Sequence, residues 1–223
     1  MKKNVYINES IPLFMFDSLD STMNEIKKKK YNIYEEVVVI ANKQTQGRGR
    51  RNNNWVSDEG NLYLSIRLKK KIYKNHHFIT YMIGIVMYEI IKEYVSKPIK
   101  TIIKWPNDIL IDNKKVSGIL IEFLSYGSII KDTIIGIGVN INNNPNKIKK
   151  PSTYLKKYCN YNIENLELTK SILQGIDNWI EVLNNNKRLL LKEWMKRSAK
   201  LNSKIKFHHN DRVVSGIYKG ISK

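Results

Sequence analysis

Two short stretches carry residue types that could do chemistry together. The first is Gly47-Arg48-Gly49-Arg50-Arg51-Asn52-Asn53-Asn54-Trp55. Glycines let the backbone turn sharply and approach a ligand closely. Arginines between them present planar donor forks that suit carboxylate and phosphate oxygens. A tryptophan at the end of such a loop can lie over a ring. The stretch reads as a mobile loop that closes on an anionic, ring-bearing ligand. Taken alone it fits equally a solvated turn or a basic loop for nucleic acid. The second stretch is Lys104-Trp105-Pro106-Asn107-Asp108. A lysine at a strand end, fixed by Trp-Pro, is a positioned point charge that can bind a carboxylate and stabilise charge growing on a phosphate. Asn107 and Asp108 are placed to orient that lysine or to hold a metal-bound water. A lone lysine in an exposed turn would look the same.

The elements that must hold these stretches can be read from periodicity. Ile11 to Phe16 predicts a short strand. Thr22 with Glu25 fits a capping box, so a helix is expected from there to about Lys30. A helix start facing a cleft would also offer amide donors to a ligand. Val37 to Ile40 reads as a buried strand that runs directly into the arginine loop. Asn61 to Lys69 alternates, with Leu62, Leu64, Ile66 and Leu68 on one face, and predicts a half-buried strand. Phe78 to Tyr94 has apolar residues at helical spacing, with Met82 and Met87 as core filler.

Thr101 to Lys104 should be a strand stopped by Pro106. Ile109 to Ile111 and Val116 to Phe123 read as a hairpin closed at Asp112-Asn113-Lys114. Tyr126-Gly127-Ser128 is a further turn. Ile134 to Ile141 is a strand whose Gly136 and Gly138 mark close approach by a ligand or another backbone. Asn142 to Pro151 is polar loop. Helices are expected over about 168–183 and 187–201, then a terminal hairpin at 203–207 and 213–217. This order predicts an α+β fold with helices packed on a mixed, largely antiparallel sheet.

The 223 residues allow one full domain with a small appendage. A hydrophobic share of 42% suits a packed core. No apolar run approaches the roughly 20 residues needed to span a bilayer. Lys2 and Lys3 are not followed by a long apolar stretch, so no secretory signal is expected. The single cysteine, Cys159, rules out an internal disulfide. It suits a reducing, cytoplasmic setting, where it is expected to be partly buried and without a catalytic task.

The formal charge of +19 would suit a nucleic-acid binder. However, the lysines are spread along the chain, Asn and Ile are abundant, and alanine occurs only at Ala41 and Ala199. That pattern reads as a codon bias toward Lys, Asn and Ile, so the charge is weak evidence of function. His76-His77 and His208-His209 lack partners at ligand spacing, so no metal site is expected from side chains. No Walker pattern is present.

Four segments then occur in order: the arginine loop, Lys104 to Asp108, Lys115-Val116-Ser117-Gly118-Ile119-Leu120-Ile121-Glu122, and Gly136-Ile137-Gly138-Val139-Asn140. Together they resemble the catalytic domain of the biotin protein ligases, the biotin–[acetyl-CoA carboxylase] ligases. The likeness is strong over Ile11 to Ile141 and weak beyond. It implies a fold of the class II aminoacyl-tRNA synthetase/biotin ligase type over residues 1–201. Residues 202–223 would be a truncated C-terminal small β-barrel segment. It implies that biotin is activated with ATP and Mg²⁺ to biotinyl-5′-AMP and passed to a lysine of a biotin carboxyl carrier protein of acetyl-CoA carboxylase. The magnesium would be held through the phosphates.

The same resemblance implies residue roles. Ser21, Thr22 and Gln44 would line the biotin ring site, with Met23 standing where the family has asparagine. Arg48, Gly49 and Arg50 would cover biotin and the phosphate, and Arg50 would retain the reactive adenylate. Lys104, with Arg48 and Arg50, would be the catalytic cation set. Gly118 and Leu120 would floor the biotin site. Arg48, Arg50, Arg51, Trp55, Asn107 and Asn140 would form the nucleotide site. The family repeats Gly-Arg where this chain has Asn52-Asn53, so one positive charge near the phosphates is missing.

Members of the family commonly pair through their sheets, so a homodimer is a further expectation. The catalytic segment is expected to begin by about Ile11, so no N-terminal repressor domain is expected, and neither specific DNA nor a membrane is expected as partner. The alternatives are a lipoate ligase or octanoyltransferase of the same fold, a DNA-binding protein, or a pseudo-enzyme disabled by the Asn52-Asn53 change or by the short C-terminus.

Overall fold

The computed structural model describes residues 2–7, 10–69, 71–72, 74–95, 98–127, 129–145, 151–209 and 212–221. The expected turn at Ser128, the loop over 146–150 and the side chains of His208 and His209 lie outside what is described.

Eight strands form one sheet: β1 (Lys2–Ile7), β2 (Ile11–Leu19), β3 (Glu36–Gln44), β4 (Leu62–Lys69), β5 (Thr101–Lys104), β6 (Asp108–Ile111), β7 (Lys114–Tyr126) and β8 (Ile129–Val139). Their order across the sheet is β1-β2-β3-β4-β8-β7-β6-β5. Strands β2 and β3 pair in parallel, and every other neighbouring pair is antiparallel. A parallel pair needs a crossover. Here it is the one-turn helix α1 (Thr22–Glu25) with a 3-10 turn at Lys29–Tyr31. Helices α2 (Ile79–Tyr94), α3 (Asn165–Asn185) and α4 (Lys187–Arg197) cover the other face. A small hairpin, β9 (Lys204–His209) with β10 (Arg212–Ile217), follows. Just after it, Tyr218 reaches into the main core and its hydroxyl meets Ser198 Oγ at 3.2 Å.

Strand alternation sends Val38 and Ile40 toward the helices, and Val37 and Val39 toward α1. Both sets are buried, so the β-branched run is a two-sided core strand. The same holds for β4, which was expected to be half-buried. Tyr63, Ser65 and Arg67 are within 3% of full burial, because the α1 crossover and the arginine loop roof that face. Arg67 compensates its charge with Asp132 at 2.9 Å. The helix layer is close-packed: a Cβ on Gly175 would come within 2.6 Å of Val86 Cγ1.

Strand β1 was not foreseen, α4 stops before Leu201, and Cys159 is buried rather than partly so. The capping box is also corrected. Ser21, not Thr22, sits at the N-cap, and its side chain makes no cap bond. Thr22 instead spends its hydroxyl and its amide on Gln44 and Ser65, so the start of α1 is no free donor cluster. Glu25 is drawn inward to the Tyr31 hydroxyl, 2.9 Å away, and to Lys28 and Lys30.

Burial pushes the Glu25 carboxyl up, but hydrogen bonds from Lys28, Lys30 and Tyr31 outweigh it and leave the group below its ordinary range. A lowered folded value means that its stabilisation is present above the unfolded value and is lost as pH falls through the folded one. Glu25→Gln should therefore lose about 2 kcal/mol at neutral pH. Urea unfolding of both proteins should show that deficit shrinking as the pH is lowered past the carboxylate range. A deficit that is the same at low pH would refute the assignment.

Candidate active site

The register of the central strands builds a floor without side chains. On the α1 face, Gly138 of β8 pairs with Gly118 of β7 on one side and Tyr63 of β4 on the other. One step along, Gly136 sits between Leu120 and Ser65. These glycines are needed for space. A Cβ on Gly138 would lie 2.5 Å from Trp55 Cε2, and one on Gly118 would lie 2.7 Å from Trp55 Cζ3. A Cβ on Gly136 would lie 2.7 Å from Met23 Sδ. The indole of Trp55 and the thioether of Met23 thus rest directly on the sheet backbone. Tyr63 beside them donates to the Asp58 carbonyl, and burial pushes its phenol up to about 12, so the floor is neutral there.

The polar end of the site is the start of α1. Gln44 Oε1 accepts from Thr22 N at 2.8 Å and from Thr22 Oγ1 at 3.1 Å, and Gln44 Nε2 donates to Ser57. Ser21 is completely buried and its Oγ has no hydrogen-bond partner. A buried hydroxyl without a partner is uncommon and costs free energy unless a ligand satisfies it.

The arginine loop crosses above this floor. Trp55 N donates to Gly47 O at 2.8 Å, and Gly49 N to Asn53 O at 2.7 Å. The loop is held at two points. Arg48 pairs with Glu122 at 2.6 Å, and Arg50 donates to Asn107 Oδ1 at 3.2 Å. Arg51 and Asn52 are left-handed, at φ 52° and 58°. Asparagine tolerates that region better than other non-glycine residues, which explains why Asn52 can stand where a glycine would be expected.

Lys115 is the residue that the sequence reading left without a role. Its Nζ lies 4.7 Å from the centre of the Trp55 ring and 2.6 Å from Asp108 Oδ1. It would be only 3.0 Å from a Cβ on Gly118. A β-bulge brings it there. Ile109 pairs with Ser117 but Leu110 with Lys115, so Val116 is an extra residue on β7. The extra residue turns Lys115 onto the face that carries Gly118 and Asp108.

Asp108 therefore orients Lys115 and not Lys104, and Asn107 is committed to Arg50 and to the Ile119 carbonyl. Lys104 ends β5, exposed, and has no ion pair among the described residues. Asn140 is buried at the end of β8 and donates to Thr153 O at 3.0 Å, tying the following segment to the sheet. Among the described residues no three His, Cys, Asp or Glu side chains gather as a metal cradle. None of their helices is long and apolar enough to cross a membrane.

The assembled site has a ring-sized apolar shelf, an amide and hydroxyl cluster at one end, and cations around the rest. It suits a ligand with a polar ring and an anionic tail. Residues 15–140 match the model of the Biotin/lipoate A/B protein ligase family. The bifunctional ligase/repressor BirA of Bacillus subtilis is 34% identical over 165 residues, which cover 71% of this chain and 50% of that protein. The chain thus spans about half the length of that relative. The biotin–[acetyl-CoA-carboxylase] ligase of Paracoccus denitrificans is 25% identical, with 93% of this chain and 89% of that protein covered. The biotin protein ligase of Aquifex aeolicus, solved with biotin and ATP, superimposes with a TM-score of 0.79 at 28% identity, covering 94% of this chain and 88% of that one.

Proposed function

Since the chain belongs to the biotin/lipoate A/B protein ligase family, we propose that it is a biotin protein ligase that forms biotinyl-5′-AMP from biotin and MgATP. The adenylate is then spent on a lysine of a biotin carboxyl carrier protein. The observation that carries this reading is the orphaned Ser21 hydroxyl beside the Thr22–Gln44 pair, at the start of the helix whose Met23 rests on the glycine floor. The free Ser21 hydroxyl suits a group of a ureido ring, and a flat bicycle would take its place on the glycine floor once the Trp55 indole tilts aside. The Bacillus, Paracoccus and Aquifex relatives supply the same reading by likeness.

In the first step a biotin carboxylate oxygen attacks the α-phosphorus of ATP, the bond to the bridging oxygen breaks, and pyrophosphate leaves with that electron pair. Two anions must meet, and negative charge grows on the α-phosphate. Lys115, anchored by Asp108, is the ammonium best placed to meet that charge. Arg48, Arg50 and Arg51 supply further positive charge from the loop, and Lys104 adds to it from the exposed rim. In the second step a neutral lysine amine of the carrier attacks the acyl carbon, the bond from that carbon to the phosphate oxygen breaks, AMP departs with that electron pair, and the amine's surplus proton passes to solvent. The loop excludes water until the carrier arrives. Magnesium would enter with the nucleotide and would supply further positive charge to its phosphates.

Incubation with biotin, MgATP and a carrier domain tests this reading, with the carrier's mass and pyrophosphate release as readouts. Biotin should drive both. Turnover with lipoate in its place would assign the chain to the lipoate branch of the family, and no turnover with either would refute the ligase reading. A more local prediction concerns Asn53, whose amide now donates to the Arg50 carbonyl at 2.8 Å. Asn53→Arg should lower the KM for ATP by roughly three-fold through one more partly exposed cation. An unchanged KM would dismiss the idea that a charge is missing there.

A further inference from the structure

One carboxylate outside the shelf holds the arginine loop in place. Glu122 is the fourth residue after Gly118 on β7, and alternation puts it on the same face as Gly118 and Leu120. Its Oε1 accepts from Arg48 Nη2 at 2.6 Å, and its Oε2 from Arg48 Nη1 at 3.5 Å. Arg48 Nη1 also donates to Asn24 Oδ1 at 3.1 Å, and Lys27 donates to the same carboxylate. Glu122 thus joins the sheet, the α1 crossover and the loop.

We propose that Glu122 is a positioning residue: it fixes the Arg48 guanidinium, and with it the loop, over the floor before any ligand arrives. The idea rests on the reading of that loop as the cover of a biotinyl adenylate. A loop containing two glycines loses much conformational freedom when it orders. If a carboxylate of the protein orders it beforehand, that loss is removed from the binding step. Both partners keep some exposure, 38% for Arg48 and 23% for Glu122. The pair is therefore modest and screened by salt, strong enough to bias the loop and weak enough to release it for ligand exchange.

Hydrogen exchange on the ligand-free protein tests this, with Glu122→Gln compared to the unaltered chain. The Gly49, Asn53 and Trp55 amides, each bonded within the loop, should exchange about five-fold faster in the variant. The amides of α2 and β4 should be unaffected. Raising the salt should accelerate loop exchange in the unaltered protein and have little effect on the variant. Lys27→Gln, which leaves the Arg48 pair intact, should behave as the unaltered protein does.

In turnover, Glu122→Gln should raise the KM for biotin and the free adenylate released to solution, with kcat of adenylation little changed. Glu122→Asp should recover part of both. Loop exchange that does not change, or exchange that rises throughout the molecule, overturns the inference. If the unaltered protein forms no adenylate, the functional reading falls, and the role of the held loop falls with it.

Discussion

Lys115→Ala slows adenylate formation by roughly 100- to 1000-fold, while Lys104→Ala costs several-fold at most. The large figure is what removal of one preorganised charge from a developing oxyanion typically costs. Lys115 is preorganised twice, by the 2.6 Å pair with Asp108 and by its seat against the Trp55 ring. Its loss also leaves the Asp108 carboxylate uncompensated beside two anionic substrates, which adds repulsion to the missing attraction. That second component can be isolated. Adding Asp108→Asn to Lys115→Ala should recover part of the rate, so the two changes should not be additive. Single-turnover measurement of pyrophosphate release under saturating biotin and MgATP gives each value. The assignment fails if Lys104→Ala is the more damaging change, or if the double variant is slower than the Lys115 variant.

The second large effect comes from adding atoms where the sheet has none. Gly138→Val should fold, because valine suits a central strand better than glycine does. Its Cβ alone would meet the Trp55 indole at 2.5 Å. The indole is carried by a loop and is forced off the floor, and the branched methyls then fill the space intended for a flat ring. Biotin affinity should fall by about 100-fold or more, the order expected when one or two contacts of several kcal/mol are replaced by overlap. The melting temperature should hold or rise slightly. Calorimetric titration with biotin and a thermal melt separate the two quantities. Retained affinity would show that the ligand does not lie on Gly138. A collapsed melt would make the glycine a requirement of the sheet and not of the site.

Much of the site was legible from residue order alone. The arginine loop and the glycines of β8 were singled out from the sequence, Ser21, Thr22 and Gln44 only through the likeness to the biotin protein ligases, and the chain brings them together. Period-two alternation was enough to put Gly118 and Leu120 on the same side. Lys115 was not legible, because its side depends on the bulge at Val116. Without that extra residue, alternation sends it to the side of Ser117, away from Gly118. The local cue available was the mismatch between Asp108, whose charge needs a partner, and Lys104, whose strand ends facing solvent. Burial of both faces of β4 was hidden for a similar reason. A strand pattern reports which residues are apolar, whereas Ser65 and Arg67 are covered by a crossover whose position only the parallel β2–β3 pair reveals.

The indole lying on bare backbone has one more consequence. A fluorophore that rests on the shelf of this site must tilt to let a guest in beneath it, and Trp55 also loses its ammonium neighbour when Lys115 turns to a carboxylate. Its emission should therefore shift on titration with the vitamin alone, before any nucleotide is added, and Trp55→Phe should abolish the signal. The chain would then carry an intrinsic optical gauge of occupancy, readable in a cuvette without a label.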